Sequence, residues 1–172
     1  MCELLAPAGD LERLKIALLY GADAVYIGGK NYSLRANANN FSIEEIKEAC
    51  EFAHSLNKKI YVTVNTLIKE SEVKRVLEYI TFLHKSGVDA VIMQDLGMIN
   101  LVRKMFPNLE IHASTQFHNH NIEGLKYLKS IGVKRAVLAR ELSISEINNL
   151  DIDIEKEVFI HGALCVSYSG QC

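Results

Sequence analysis

One short pattern sets the architecture of this chain, and it first occurs as Gly21-Ala22-Asp23-Ala24-Val25-Tyr26-Ile27-Gly28. It returns as Gly87-Val88-Asp89-Ala90-Val91-Ile92-Met93-Gln94 and as Gly132-Val133-Lys134-Arg135-Ala136-Val137-Leu138-Ala139. In each copy the glycine stands where a helix should end, because glycine adopts the left-handed conformation of a helix C-terminus at low cost. The apolar run that follows is typical of a buried parallel strand. The pattern therefore predicts helix–strand units in series.

Between these strands, apolar residues recur at the spacing typical of amphipathic helices. Asp10 is placed to cap one helix. Ser42 with Glu45, and Ser143 with Glu146, match the capping box in which the serine and the glutamate bind each other's backbone N–H groups. The capping signals predict that helices begin at these three points.

Seven strands are predicted in all. They are Glu3–Ala6, Ala24–Gly28, Lys59–Asn65, Ala90–Gln94, Glu110–Thr115, Arg135–Ala139 and Glu157–Gly162. Because helices separate the strands, the sheet should be parallel, and seven regular units favour a TIM-like (β/α) barrel over an open doubly wound sheet. The absence of a Gly-x-Gly-x-x-Gly motif after the first strand weighs against a dinucleotide-binding fold.

Length and composition suit one domain. The chain has 172 residues, and we expect residues 1–172 to be a single incomplete barrel, an N-terminal fragment that lacks the eighth strand. A net charge of −2 weighs against a wholly basic nucleic-acid binder. No apolar run reaches the roughly 18 residues of a membrane span, and the N-terminus does not resemble a signal peptide, so we expect a cytoplasmic protein. The oligomeric state is not predicted.

Candidate functional residues follow from strand alternation, since function in such barrels gathers at the carboxyl ends of the strands. On the third strand, Ile60, Val62 and Val64 form an apolar face suited to the helices, which leaves Tyr61, Thr63 and Asn65 for the lumen. The other side chains expected to point inward are Tyr26, Gln94, His112, Ser114, Gln116 and His161. The catalytic candidates are Asn65, Gln94, Arg140 and His161, and the candidate substrate contacts are Tyr26, Arg35, Ser114, Gln116 and Glu141.

Each candidate also has a structural interpretation. Polar residues at strand ends often satisfy loop backbone, and His112 is interpreted as a hydrogen-bonded core histidine. His118-Asn119-His120 resembles a metal-binding pair but is interpreted as a loop and helix cap. Arg35 could hold an anion over the barrel mouth or lie on the solvated surface.

The four cysteines separate by position. Cys50 shares a helix face with Ile46 and is expected in the core, and Cys2 precedes the first strand at the opposite end of the barrel. Cys165 and Cys172 follow the seventh strand with six residues between them. Two thiolates at this spacing could share a zinc ion or an iron–sulfur cluster, and two further ligands would have to come from outside the sequence.

The end of the chain resembles the signature of peptidase family U32, the collagenase-like peptidases. The resemblance lies in Glu157-Val158-Phe159-Ile160-His161-Gly162-Ala163-Leu164-Cys165 and Gly170-Gln171-Cys172. Further similar segments are Glu3-Leu4-Leu5-Ala6-Pro7-Ala8-Gly9, Ala24-Val25-Tyr26-Ile27-Gly28-Gly29, Ser33-Leu34-Arg35-Ala36, Gln94-Asp95 and Ser114-Thr115-Gln116. Together they cover essentially the whole chain.

Membership in this family would imply a specific chemistry. Members include oxygen-independent hydroxylation proteins that act on a tRNA wobble uridine, a ribosomal RNA cytidine or the ubiquinone ring. The resemblance implies a four-iron four-sulfur cluster held by four cysteines, of which Cys165 and Cys172 would be the first two, and prephenate as the source of the hydroxyl group. Other members are named for collagen degradation.

Three hypotheses therefore stand. The first is an iron–sulfur enzyme that hydroxylates tRNA or ribosomal RNA, with a small anionic co-substrate and with Lys30, Lys58, Lys59 and Lys69 as possible phosphate contacts. The second is a peptidase in which Cys165 and His161 form a thiol–imidazole pair. The third is a non-catalytic, truncated barrel whose open sheet edge is prone to association.

Overall fold

Seven parallel strands alternate with helices in the computed structural model, which describes residues 2–34, 40–162 and 164–171. The strands are β1 (Leu5–Pro7), β2 (Ala24–Gly28), β3 (Lys59–Val64), β4 (Ala90–Met93), β5 (Glu110–Ala113), β6 (Arg135–Val137) and β7 (Glu155–Glu157). The helices are α1 (Leu11–Leu19), α2 (Ile43–Ser55), α3 (Val73–Lys85), α4 (Leu96–Met105), α5 (Ile122–Ser130) and α6 (Ile144–Asn148). Short 3₁₀ turns occur at Glu70–Glu72 and Thr115–Phe117.

The sheet has the strand order β1-β2-β3-β4-β5-β6-β7, and every neighbouring pair is parallel. This is the order that successive right-handed β-α units produce in a barrel. The sheet curls far enough for the Arg135 guanidinium on β6 to bind the Glu3 carboxylate ahead of β1, at 2.6 Å. The predicted TIM-like (β/α) barrel with seven strands is confirmed.

The first strand begins two residues later than predicted, at Leu5, and the seventh strand is misplaced further. It was predicted at Glu157–Gly162, but β7 runs from Glu155 to Glu157 and the apolar residues 158–160 are exposed. The reason is the ladder with β6, in which Arg135 pairs with Glu155 and Val137 with Glu157, so pairing stops where the short β6 stops. The apolar run after β7 has the composition of a strand but no partner among the described residues.

Local signals for the helix ends are confirmed. Both capping boxes form, at Ser42–Glu45 and at Ser143–Glu146, and the Asp10 carboxylate accepts the Arg13 N–H at 2.8 Å. The three repeated glycines have positive φ angles of 110°, 85° and 82°, as the helix-terminal interpretation requires. None of the helices that the structure describes has the length and apolar character needed to cross a bilayer.

The two faces of the sheet carry different cores. Ile60, Val62 and Val64 belong to the large apolar cluster beneath the helices. Tyr61 belongs to a second, smaller cluster with Ala24, Ala90 and Ile92, against which Tyr26 packs. The lumen assignment made from strand alternation is thereby confirmed for β3 and for Tyr26.

An ionic network, here called the barrel floor, fills the lumen at the amino ends of the strands; it consists of Glu3, Tyr61, Arg135, Glu155 and Glu157. Arg135 donates through Nε and Nη2 to Glu155 Oε2 at 2.9 and 2.8 Å and through Nη1 to Glu3. The Tyr61 hydroxyl donates to the Glu3 carboxylate at 2.9–3.0 Å, and the guanidinium lies 5.3 Å from the Tyr61 ring centroid. This network fills the amino end of the lumen with paired charges.

His112 packs directly above the barrel floor. Its ring meets the Tyr61 ring edge-on at 4.7 Å, and the side chain is fully buried, which confirms a core position. The expected hydrogen bond is wrong for the part of the chain that the structure describes, because Nε2 lies 3.7 Å from Glu110 Oε2 and neither ring nitrogen has a hydrogen-bond partner there. Burial lowers the pKa of His112, so the ring is neutral at physiological pH.

Candidate functional site

The segment 164–171, here called the cysteine segment, lies against the residues that follow β5 and β6. Arg140 makes the most extensive contacts with it. Its Nη1 donates to the Cys165 carbonyl at 2.9 Å, its Nη2 to the Ser167 carbonyl at 2.7 Å and its Nε to the Ser169 hydroxyl at 3.3 Å. The guanidinium that sequence alone suggested as catalytic is thus bound to the backbone of the segment that carries Cys165.

Glu141 and His120 hold the second half of the cysteine segment. The Ser169 N–H donates to Glu141 Oε1 at 3.0 Å, and burial of the Ser169 side chain is almost complete. The His120 ring stacks on the Tyr168 ring with parallel planes and a centroid distance of 5.1 Å. Burial opposes ionisation of Glu141, but the hydrogen bonds from Ser169 prevail and lower the pKa of this carboxyl group.

Gly170 allows the cysteine segment to approach β5. Its φ of 85° is in the left-handed region, and a Cβ atom at this position would overlap the His118 ring. His118 itself has a φ of 58° at the end of the 3₁₀ turn. Two features therefore require glycine at position 170, namely its left-handed backbone angle and the His118 ring beside it.

Cys165 presents its side chain to solvent at the carboxyl end of the sheet. The Ser167 backbone N–H points toward Sγ, with a nitrogen–sulfur distance of 3.4 Å. A hydrogen bond of this kind stabilises a thiolate and is one of the interactions that set the potential of iron–sulfur centres. Cys172, the second candidate ligand, lies outside the described residues.

Asn119 ties the loop after β5 to β6. Its Nδ2 donates to the Ser114 carbonyl at 3.0 Å and to the Val137 carbonyl at 2.7 Å, while its own carbonyl accepts the Ala139 N–H at 3.1 Å. The side chain is buried. Asn119 thereby fixes the ends of two strands from which His118, His120 and Arg140 extend, and the loop interpretation of His118-Asn119-His120 agrees with its position.

The ends of β3 and β4 carry two further candidates that the structure brings together. Gln94 Nε2 donates to the Asn65 carbonyl at 2.6 Å, and Asn65 Oδ1 accepts the Leu34 N–H at 3.2 Å. Both side chains are half-buried. They form a polar rim, and their described hydrogen bonds are to backbone groups of neighbouring loops.

The remaining candidates occupy different environments. Ser114 is buried, and its hydroxyl accepts the Gln116 N–H at 3.3 Å, whereas the Gln116 side chain is half-buried at the rim. His161 is exposed beyond the end of β7 rather than at the tip of a strand, which corrects its predicted setting. Arg35 lies outside the described residues.

The thiols of the described residues do not assemble a metal site by themselves. Cys50 is buried in α2, and burial raises the pKa of its thiol to about 12, so it is a core residue as predicted. Cys2 lies beside Glu3, at the opposite end of the barrel from Cys165. Among residues 2–34, 40–162 and 164–171 no three His, Cys, Asp or Glu side chains are grouped to hold a metal ion. Cys165 fits one position of a four-thiolate site.

Sequence reasoning did not identify the contacts that build this site. The contacts of His120 with Tyr168 and of Arg140 with Ser169 join residues far apart in sequence, which meet only when β5, β6 and the cysteine segment are assembled. The barrel floor around Arg135 was missed for the same reason. One available signal was the adjacent pair Arg140 and Glu141 at a strand end, since opposite charges there can hold a crossing segment.

Comparisons with known proteins agree with these observations. The sequence profile of Peptidase family U32 matches residues 9–172. The tRNA hydroxylation protein P1 of Bacillus subtilis strain 168 is 48% identical over 172 residues, which are 99% of this chain and 41% of that protein. The 23S rRNA 5-hydroxycytidine C2501 synthase of Escherichia coli strain K12 is 46% identical over 99% of this chain and 26% of its own length.

A solved structure supports the fold. The U32 peptidase Mk0906 superposes with a TM-score of 0.75 over 92% of this chain and 68% of that chain, at 12% sequence identity. The chain spans less than half the length of the two curated relatives. Taken with the profile match, the fold and the signature around Cys165, these findings establish that the chain belongs to Peptidase family U32.

Proposed function

We propose that the full-length protein hydroxylates a base of tRNA or ribosomal RNA and that it uses an iron–sulfur cluster bound in part by Cys165. The observation that carries this proposal is the cysteine segment, which holds an exposed thiol at the carboxyl end of the sheet through contacts to Arg140, Glu141 and His120. Relatives of 46–48% identity over nearly the whole chain are named for RNA hydroxylation.

The proposed cofactor is a four-iron four-sulfur cluster, which when bound supplies one-electron transfer. Cys165 and Cys172 would be two of its four thiolate ligands, and the others would come from the remainder of the full-length protein. Within the described chain, Arg140 and Glu141 hold the ligand-bearing segment, and Asn65 and Gln94 form the neighbouring polar rim.

We propose prephenate, or a small carboxylate like it, as the hydroxyl source. Three of the five N–H donors of Arg140 bind the cysteine segment, and among the described contacts the second N–H of each terminal nitrogen has no acceptor, so these two are the proposed donors to an anion. Arg35 is the second cation assigned to this role. His161, Tyr26, Ser114 and Gln116 remain candidate contacts to the substrates.

The RNA would approach the carboxyl end of the barrel. Of the four lysines considered, Lys30 follows β2 and Lys69 follows β3, and both are exposed at this end. Lys58 is ion-paired with Asp23 at 2.9 Å, and Lys59 begins β3 at the amino end. Lys30 and Lys69 are therefore the proposed phosphate contacts, and the compartment proposed is the cytoplasm, where tRNA and ribosomes occur.

A peptidase mechanism is the second candidate, because the thiol of Cys165 is exposed. It requires a base that accepts the thiol proton, with His161 as the residue nearest in sequence. The described hydrogen bond to Sγ comes from a backbone N–H, which donates and cannot accept a proton. A donor of this kind stabilises a thiolate, which is the form of cysteine that binds iron.

Mass spectrometry of nucleosides tests the proposal. We expect tRNA or 23S rRNA from cells without the gene to lack one hydroxylated base, which the full-length protein restores and its Cys165→Ala variant does not. Cys2→Ser is the matched control, because Cys2 is an exposed cysteine at the other end of the barrel. Unchanged RNA, together with collagen or casein cleavage that requires Cys165, would support the peptidase instead.

A further inference from the structure

We propose that Arg140 is a positioning residue that fixes the turn at Cys165 in the geometry of a cluster ligand before any cluster is bound. This inference rests on the proposed iron–sulfur function. It assigns Arg140 a role in addition to the proposed anion contact, because the described hydrogen bonds of its guanidinium are to the chain itself.

The first argument is the geometry around Sγ. Arg140 donates to the carbonyls of Cys165 and Ser167, which lie on either side of the peptide unit whose N–H belongs to Ser167. That N–H donates to Cys165 Sγ at 3.4 Å. Because a planar guanidinium holds both carbonyls at fixed separation, it also fixes the direction of the N–H that stabilises the thiolate.

The second argument is that different side chains contact the two halves of the cysteine segment. The second half is contacted by three side chains: His120 stacks on Tyr168, Glu141 accepts the Ser169 N–H, and His118 lies beside Gly170. Arg140 reaches the carbonyls of positions 165 and 167. Loss of the guanidinium should therefore loosen residues 165–167, which include the thiol, while the other contacts hold residues 168–170 in place.

The third argument concerns the side chain of Ser169. Its buried hydroxyl accepts hydrogen bonds from both the backbone N–H and Nε of Arg140, at 3.2 and 3.3 Å. It orients the guanidinium toward the turn. A lysine at position 140 would keep the charge but could not occupy three fixed acceptors, because an ammonium group is not a planar fork.

The experiment compares Arg140→Gln, Arg140→Lys and Ser169→Ala in the full-length protein. Arg75→Gln is the matched control, since Arg75 is exposed on α3. Two quantities are measured: backbone hydrogen exchange across residues 164–171 after removal of iron with a chelator, and the electron paramagnetic resonance spectrum and midpoint potential of the reduced cluster in the loaded protein.

We expect Arg140→Gln to speed exchange of the Ser167 N–H, which donates to Cys165 Sγ, about tenfold relative to Arg75→Gln, with a smaller change at the Ser169 N–H, which Glu141 accepts. The cluster spectrum and midpoint potential should shift in Arg140→Gln. Arg140→Lys and Ser169→Ala should give intermediate values. A purely structural arginine would lower thermal stability without moving the spectrum or the potential.

The inference is overturned if exchange of the Ser167 N–H is the same in Arg140→Gln and Arg75→Gln, or if the loaded variants have the spectrum and potential of the wild type. Absence of a cluster from every form, including the wild type, overturns the proposed function instead. In that case the exchange rates still decide whether Arg140 holds the turn.

Discussion

Glu157 is an acid of the barrel floor whose Oε2 atom is buried, and it has no role in the proposed chemistry. Its Oε2 lies 3.6 Å from Arg135 Nη1 and has no hydrogen-bond partner among the described residues, while Glu3 and Glu155 accept hydrogen bonds from that guanidinium. Burial outweighs the attraction of Arg135 and raises the pKa of Glu157 to about 7. The carboxyl group is therefore half protonated near neutral pH.

This raised pKa predicts a pH-dependent stability. Between pH 4.5, the ordinary pKa, and about 7, the folded state keeps a proton on Glu157 that the unfolded chain has lost, so the free energy of unfolding falls as pH rises. Glu157→Gln removes this effect. We expect the variant to gain stability relative to the wild type across that window, by at most about 3 kcal/mol above pH 7.

Urea denaturation between pH 4 and 8 measures the difference. Glu78→Gln on the exposed face of α3 is the matched control. A difference between Glu157→Gln and wild type that does not change with pH would contradict the assignment of a protonated Glu157 to the barrel floor.

Gly170 provides a second residue-scale prediction. Gly170→Ala should destabilise the cysteine segment through both backbone strain and overlap with the His118 ring, by about 2–4 kcal/mol in sum. Gly21→Ala is the matched control, because Gly21 has a φ of 110° but open space at the Cβ position, so it should cost about 1–2 kcal/mol. Equal thermal destabilisation by the two substitutions would contradict the contact with His118.

At the scale of secondary-structure elements, the loop between β5 and α5 connects the sheet to the candidate site. Asn119 spans the ends of β5 and β6 with two donated hydrogen bonds, and its neighbours His118 and His120 reach the cysteine segment. The geometry of the site therefore depends on how these two strand ends are held together.

Asn119→Asp tests this connection. An aspartate has nearly the same shape but presents an oxygen to the Ser114 and Val137 carbonyls, so we expect a loss of about 3 kcal/mol in the free energy of unfolding at neutral pH. Asn121→Asp is the matched control, because Asn121 accepts the Gly124 N–H as the N-cap of α5 and aspartate caps equally well. Similar denaturation midpoints for the two variants would refute the bridging role.

Elements were predictable from sequence where the signal is local. The capping boxes at Ser42 and Ser143 and the glycine at each helix end depend on neighbouring residues, and the structure confirms them. The position of β7 could not be predicted this way, because its length depends on the three-residue β6 with which it pairs.

At the scale of the whole molecule, the barrel floor and the candidate site lie at opposite ends of the sheet. The barrel floor joins Glu3 near the start of the chain to Arg135 on β6, across 132 positions of sequence. Contacts between residues so far apart produce no repeating pattern in the sequence. By contrast, Tyr61 and Thr63 alternate with Ile60 and Val62, and this alternation is a pattern of period two. Sequence therefore predicted which face of β3 points inward but not the network that fills the lumen.

The same limit applies to the candidate site. The signature located Cys165, and the strand-end rule located Asn65, Gln94 and Arg140, which the structure finds at the carboxyl end of the sheet. The partners of Arg140 could not be predicted, because the segment it binds is more than 20 residues away in sequence and runs outside regular secondary structure. The proposed role of Arg140 in positioning the turn at Cys165 follows only from these contacts.

Iron and acid-labile sulfide analysis of the full-length protein, purified without oxygen, tests the central claim most directly. We predict a brown wild-type protein with about four iron and four sulfide ions per chain. The Cys165→Ala variant should be nearly free of iron, and the Cys2→Ser variant should match the wild type. A wild-type protein without iron, or a Cys165→Ala variant with the full complement, would contradict the account.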